Sequence, residues 1–145
     1  MEQPDIHDNF VYAIRIHLEE RVLILHTQYR NGDGPYDFTD VRFSGVIAHY
    51  FRHITAPSIL FGIEEVTPRW IVRDEWKELF DEGKKRNWPT FELRDPTMLL
   101  ERIAADGIRG YTVSGVTGVD GFVLAKEMNF TRRSEAYCFA DDSFN

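Results

Sequence analysis

Two neighbouring segments that alternate apolar and polar residues constrain this chain more than any other feature. Phe10, Tyr12, Ile14, Ile16 and Leu18 fall on one face, and Val11, Ala13, Arg15 and His17 on the other. Period-two alternation is the pattern of a half-buried strand. Residues Arg21 to Tyr29 form a second such run. With Glu19-Glu20 as the turn, Ile16 faces Leu23, Ile14 faces Leu25 and Phe10 faces Tyr29, so the apolar faces coincide. Glu-Glu is poor chemistry for a tight hairpin turn, so a longer loop is the alternative.

The remaining chain is read in the same way. Asn31-Gly32-Asp33-Gly34-Pro35 is a turn or loop. Residues Phe38 to Ile54 are extended, and the alternation changes phase at Ser44-Gly45, which predicts a bulge or turn there. Ser58 to Val66 is a further strand with Ile59, Phe61 and Ile63 in phase. Thr67-Pro68 opens a helix over about Trp70 to Glu82 that stops at Gly83. Asp95-Pro96 opens a second helix that ends at Asp106-Gly107, with Leu99, Leu100, Ile103 and Ala104 as its apolar stripe. Arg109 to Ser114 and Phe122 to Phe130 are strands joined by a turn at Val119-Asp120-Gly121, and Ser134 to Ala140 adds an edge strand. Strands, then helices, then strands predict an α+β fold. The expected architecture is an antiparallel sheet, an N-terminal β-meander plus a C-terminal hairpin, packed with two helices in a single domain over residues 1–145.

Composition narrows the function. At 145 residues, with seventeen basic residues against twenty-four acidic ones, the chain carries −7. That disfavours nucleic acid, whose phosphates need a basic face. No window approaches the ~18 apolar residues of a membrane span, and Met1 to Asp5 has no basic stretch leading an apolar one, so no secretory leader is expected. The lone cysteine, Cys138, has no internal disulfide partner, which fits a reducing cytoplasm. Beside Tyr137 and Phe139 it reads as a buried structural thiol.

Motifs for chemistry are lacking. His49 and His53 lie in strand-like sequence, where four residues span ~13 Å, too far to share an ion. Gly110, Gly115, Gly118 and Gly121 precede a strand rather than a helix, so they are turn and bulge positions and not a phosphate loop. Asp33, Asp37 and Asp40 lack the spacing of a calcium loop. No catalytic residue, metal site or cofactor is assigned. An alternative site in a sheet cavity would gather Tyr12, His26, His49 and Tyr50.

The first helix carries the most informative pattern. At 100° per residue, Val72, Trp76, Leu79 and Phe80 form the core stripe, and Asp74, Glu75, Glu78, Asp81 and Glu82 share an arc of about 120°. Ile71 falls inside that arc and Trp70 at its edge; Arg73, Lys77 and Lys84 fill the gap beside the stripe. The arc reads either as a solvated face or as an acidic docking face. In the docking reading, Trp70 and the loop residue Trp88 are anchors for a basic protein partner. A small-ligand or enzymatic domain, or a subunit that pairs through strand edges, is the alternative.

Two stretches carry a family resemblance. The first runs from Phe43-Ser44-Gly45-Val46 through His49-Tyr50-Phe51 to Ile59-Leu60-Phe61-Gly62-Ile63-Glu64-Glu65-Val66. The second runs from Tyr111-Thr112-Val113-Ser114 to Gly121-Phe122-Val123-Leu124-Ala125-Lys126-Glu127-Met128. Together they resemble short bacterial domains that include immunity proteins of polymorphic toxin systems. The resemblance implies a cytoplasmic, non-enzymatic inhibitor that occludes the active site of a toxin enzyme. It carries over no site residue.

Overall fold

A computed structural model describes residues 5–30 and 37–138. The loop expected at Asn31 to Pro35 and the tail from Asp141 to Asn145 lie outside the described residues, as does Asp33 of the acidic triplet. Strand β1 (Phe10–His17) pairs with β2 (Val22–Gln28). Ile16 faces Leu23 and Ile14 faces Leu25, the expected register. The turn is longer than two residues, running from Leu18 to Arg21, which adopts φ 57°. A bulge at Tyr12 then shifts the register, so Phe10 faces Gln28 and not Tyr29. One extra residue reverses the side-chain alternation. Val11 and Ile14 therefore both pack on the core, while the Tyr12 ring lies on the other face, 6.1 Å from the His26 ring.

Six more strands follow: β3 (Phe38–Ser44), β4 (Ala48–Arg52), β5 (Ile59–Val66), β6 (Arg109–Thr117), β7 (Asp120–Ala125) and β8 (Glu127–Arg133). They complete one antiparallel sheet in the order β4-β7-β6-β5-β1-β2-β3-β8. Both ends of this order belong to one ribbon. β3 runs into β4 through the predicted phase change, where Gly45 has φ 65°, and β7 runs into β8 through Lys126. The two arms pair along both halves, β3 with β8 and β4 with β7, and Lys126 N–H donates to the Ser44 carbonyl across the bend at 3.0 Å.

This ribbon rolls the sheet onto itself. In a flat sheet β3 and β6 would stand four spacings apart, about 19 Å. Instead the Phe43 and Tyr111 rings meet edge-on at 5.4 Å. Leu23, Leu25, Val41, Phe43, Leu60, Val113 and Val123, from five strands, form one buried cluster. The inward faces of the strands thus make a barrel-like core.

The outward face of β4 and β7 carries the helices. The stretch Trp70–Arg86 is a π-turn (Trp70–Glu75), helix α1 (Lys77–Gly83) and a 3₁₀ turn (Lys84–Arg86). Helix α2 (Pro96–Asp106) begins and ends as its sequence signals require: Asp95 accepts from the Thr97 and Met98 amides, and Gly107 closes it at φ 67°. Leu99 and Ile103 are buried on α2, whereas Ala104 of the expected stripe is exposed. Ile71, Val72, Trp76 and Phe80 pack with them on Ala48, Phe122 and Leu124. The π-turn corrects the uniform helical wheel. Trp76 N–H donates to the Ile71 carbonyl, five residues back, so Ile71 turns into the core and is fully buried.

Three other expectations change. The hairpin between β6 and β7 turns at Gly118-Val119, with Gly118 at φ 79°, so Val119 of the expected turn lies in it while Asp120 and Gly121 belong to β7. Residues 134–138 form no strand; the rest of that expected strand lies outside the described residues. Cys138 is exposed, because the segment that carries it runs over the surface of the sheet.

Tight pairing of β4 with β7 gives a direct test. A Cβ on Gly121 would collide with the Tyr50 carbonyl, whereas one on Gly62 would meet nothing within 4 Å. Gly121→Ala should lower the urea midpoint by an amount equivalent to about 1–3 kcal/mol, and Gly62→Ala should not. Equal midpoints for the two variants would contradict the pairing.

Candidate functional site

The loop between the two helices shapes the site. Asn87 ends the first helical stretch in a left-handed conformation, φ 56°. Trp88 N–H then donates to the Gly83 carbonyl at 2.9 Å, and its ring lies 4.9 Å from Phe80 and 6.5 Å from Phe122. At its other end, the Thr90 hydroxyl accepts from the Leu93 amide and Asp95 caps α2. A loop pinned at both ends presents its middle to solvent. Phe91 is 67% exposed there, with the Arg94 guanidinium 4.7 Å above its ring.

Opposite this loop stands the β1–β2 turn, where Leu18 is 77% exposed. Between them lies a cleft of about 690 Å³. Its apolar lining includes Ile16, Val46, Ile47 and Leu93; its polar lining includes His17, Arg21, His49, Glu92 and the Arg102–Asp106 pair, 4.0 Å apart. Burial pushes the His49 imidazole below its usual 6.5, so it favours the neutral form. The cleft has the size and mixed lining of a binding site.

A second polar cluster sits on the outer face of β1, β2 and β3. His26 is fully buried. Arg15 Nε donates to His26 Nε2 at 2.9 Å, so Nδ1 carries the proton and donates to Asp40 Oδ1 at 2.7 Å. Burial of Asp40 acts to raise its carboxyl pKa, but the His26 hydrogen bond and the nearby Arg133 outweigh it and hold the carboxyl below its usual range. The Tyr137 ring stacks on His26 at 4.2 Å, and the Tyr137 amide donates to the Tyr12 hydroxyl. Both His26 nitrogens are engaged and the ring is covered, so this group offers no base to a substrate.

The expected docking residues divide between two places. Asp74, Glu75, Glu78 and Glu82 are exposed and Asp81 partly so. Asp81 pairs with Lys77 at 2.7 Å and Glu82 with Lys85 at 3.3 Å. Trp70, 38% exposed, borders a shallow depression with Pro68, Ile108 and Arg109. Trp88 is half-buried in the helix-side core and contributes to the wall of the cleft, apart from the carboxylates. The four residues of the expected sheet cavity are likewise separated. Tyr12 belongs with His26, His49 lines the cleft, and Tyr50 packs on Trp76. Among the described residues, no group of three or more His, Cys, Asp or Glu is placed to hold a metal ion, and no helix is long and apolar enough to cross a membrane.

Sequence reasoning missed Leu18 and Phe91. Their signal is a large apolar residue inside an otherwise polar turn or loop: Leu18 before Glu19-Glu20, and Phe91 between Thr90 and Glu92. Comparison with protein-family models, curated proteins and solved structures finds no match.

His49 makes the cleft visible to pH. Above 6.5 the ring is neutral in both folded and unfolded chains and contributes no pH dependence. Below 6.5 the unfolded chain takes up a proton that folded His49 resists, so stability falls with pH until the folded value is passed. The urea midpoint should therefore drop between pH 7.5 and pH 5.5, and less steeply in His49→Gln. Parallel pH profiles would show that His49 is not desolvated.

Proposed function

We propose that this chain is a non-enzymatic, cytoplasmic binding protein that docks another protein and covers its working surface, as an immunity protein covers a toxin enzyme. One observation carries the reading. Leu18 and Phe91, two of the most exposed large apolar side chains, stand at the rim of the main cleft. Clustered exposed apolar groups around a concavity are the usual anchors of a protein interface. The acidic turn residues Glu19 and Glu20 adjoin Leu18 and give the rim a polar border. The resemblance to immunity-protein domains points in the same direction.

A second docking face has its own support. Asp74, Glu75, Glu78 and Glu82 present exposed carboxylates on one helical stretch beside Trp70. With a net charge of −7, such a face would speed encounter with a basic partner and lose that advantage in salt.

Immobilised wild-type chain, Leu18→Glu/Phe91→Glu and Asp74→Arg/Glu78→Arg distinguish the two faces by stoichiometric capture from a lysate of the source organism. A protein held by the wild type should be lost from the cleft variant. It should be retained by the charge-reversed variant, with weaker capture in high salt at most. A captured protein that ignores Leu18 and Phe91 but requires the carboxylates assigns docking to the helical face. One that ignores both sets contradicts the proposal.

A further inference from the structure

Strand β8 ends the strand order on one side. Its inner side is fully used: Glu127 to Arg133 pair residue by residue with Ser44 to Phe38 of β3. Its outer side is not. Among the described residues, no backbone hydrogen bond reaches that edge. The core is unfinished at the same place. Val41 and Phe43 of β3 are fully buried, whereas their β8 partners Phe130 and Met128 pack on the core yet stay partly exposed. A strand beyond β8 would take both side chains out of water. Residues 134–138 do not supply it. They leave the edge and cross the outer face of the sheet, where Tyr137 stacks on His26 of β2.

The sequence of β8 is complementary to its own reverse. Laid antiparallel on a second copy so that all seven residues pair, Phe130 faces Phe130, Glu127 faces Arg133, Met128 faces Arg132 and Asn129 faces Thr131. Opposite residues share a face. On the inner face the two Phe130 rings form an aromatic pair, and Met128 lies against the apolar stem of Arg132. On the outer face Asn129 and Thr131 can exchange a hydrogen bond. Glu127, which has no cation partner among the described residues, meets the Arg133 guanidinium. Arg133 already holds Asp40 through Nη1 at 3.2 Å, and its Nη2 bears no carboxylate among the described residues. Ion pairs this exposed add little strength, so they select the register, while the backbone ladder and the inner side chains supply affinity. Sliding the copies by two residues either way unpairs two residues of each strand and separates Glu127 from Arg133. Sliding by one sets inner residues against outer ones.

We propose that β8 is a self-association edge. Two copies of the chain pair antiparallel along Glu127 to Arg133, about a two-fold axis at Phe130, and one sheet runs through both. A two-fold axis demands this reciprocity, residue i on j and j on i. Charges on an edge strand commonly keep other strands away. Here their order, acidic first and basic last, opposes like charges in a parallel pair and opposite charges in the antiparallel one. The main cleft includes no residue of β8, so the dimer presents two clefts. The inference goes beyond the protein-binding reading and is independent of what the cleft receives.

Sedimentation equilibrium of the whole chain over a range of concentrations reads the association, and amide exchange at low and high concentration reads its place. The wild type should pass from monomer to dimer, and the β8 amides that face away from β3 should gain protection as the dimer forms. Glu127→Arg should raise the dimer dissociation constant about tenfold, because like charges then meet twice across the axis. Asp74→Arg changes the net charge equally, on the helical stretch, and should leave the constant unchanged. Glu127 is exposed, so the urea midpoint of its variant should match the wild type where both are monomeric. The exchange measurement on unaltered protein stands independently of the variants. A monomer at every concentration up to the solubility limit overturns the proposal. So does a dimer whose added protection lies away from β8, one that Glu127→Arg leaves as tight as the wild type, or one that Asp74→Arg weakens equally.

Discussion

The fold depends on one bent ribbon. β3–β4 and β7–β8 pair along both arms, and the bend between them carries one arm to each end of the strand order. Without that bend the inward residues of β2, β3 and β6 would lie in one plane, and Phe43 could not reach Tyr111. The bend needs a residue at positive φ, supplied by Gly45, and a close approach of β4 to β7, supplied by the missing side chain of Gly121. Two glycines therefore decide whether the apolar faces of the strands meet in one core.

The rest of the molecule is arranged on that core. The outward face of β4 and β7 is apolar through Ala48, Phe122 and Leu124, and the helices cover it. Their connecting loop is anchored by Trp88 and leaves Phe91 outside, across from Leu18 on the β1–β2 turn. The same rolling of the sheet brings β1 to β5 only at its beginning. An exposed apolar rim thus lies where the β1–β2 hairpin faces the loop between the helices. Such a rim is a feature of a surface that gains by being covered.

Much of this was legible from the sequence where two local signals agreed. The β1–β2 register near Ile14 and Ile16 followed from matching apolar faces, and α2 followed from Asp95-Pro96 and Gly107. Single-residue insertions were not legible. The bulge at Tyr12 and the π-turn at Ile71 each add one residue without a marker in composition, and each turns a side chain to the face opposite the periodic expectation. The cleft was not legible for a different reason. Leu18, Phe91 and His49 lie on three separate elements, and only the closure of the sheet makes them neighbours. The acidic helical residues were found by pattern, and their exposure agrees with it, but Trp88 is held by core aromatics away from them.

The central claim is that the bent ribbon rolls the sheet so that β3 and β6 meet in one core. Residue-resolved amide exchange of the free protein tests it most directly. The account predicts slow exchange throughout β2 and β7, each with a strand on both sides, and slow exchange of the Lys126 amide, which bonds the Ser44 carbonyl across the bend. Fast exchange of the Lys126 amide and of β7 beside slow exchange of β2 would show that the ribbon is not paired along both arms and would contradict the account.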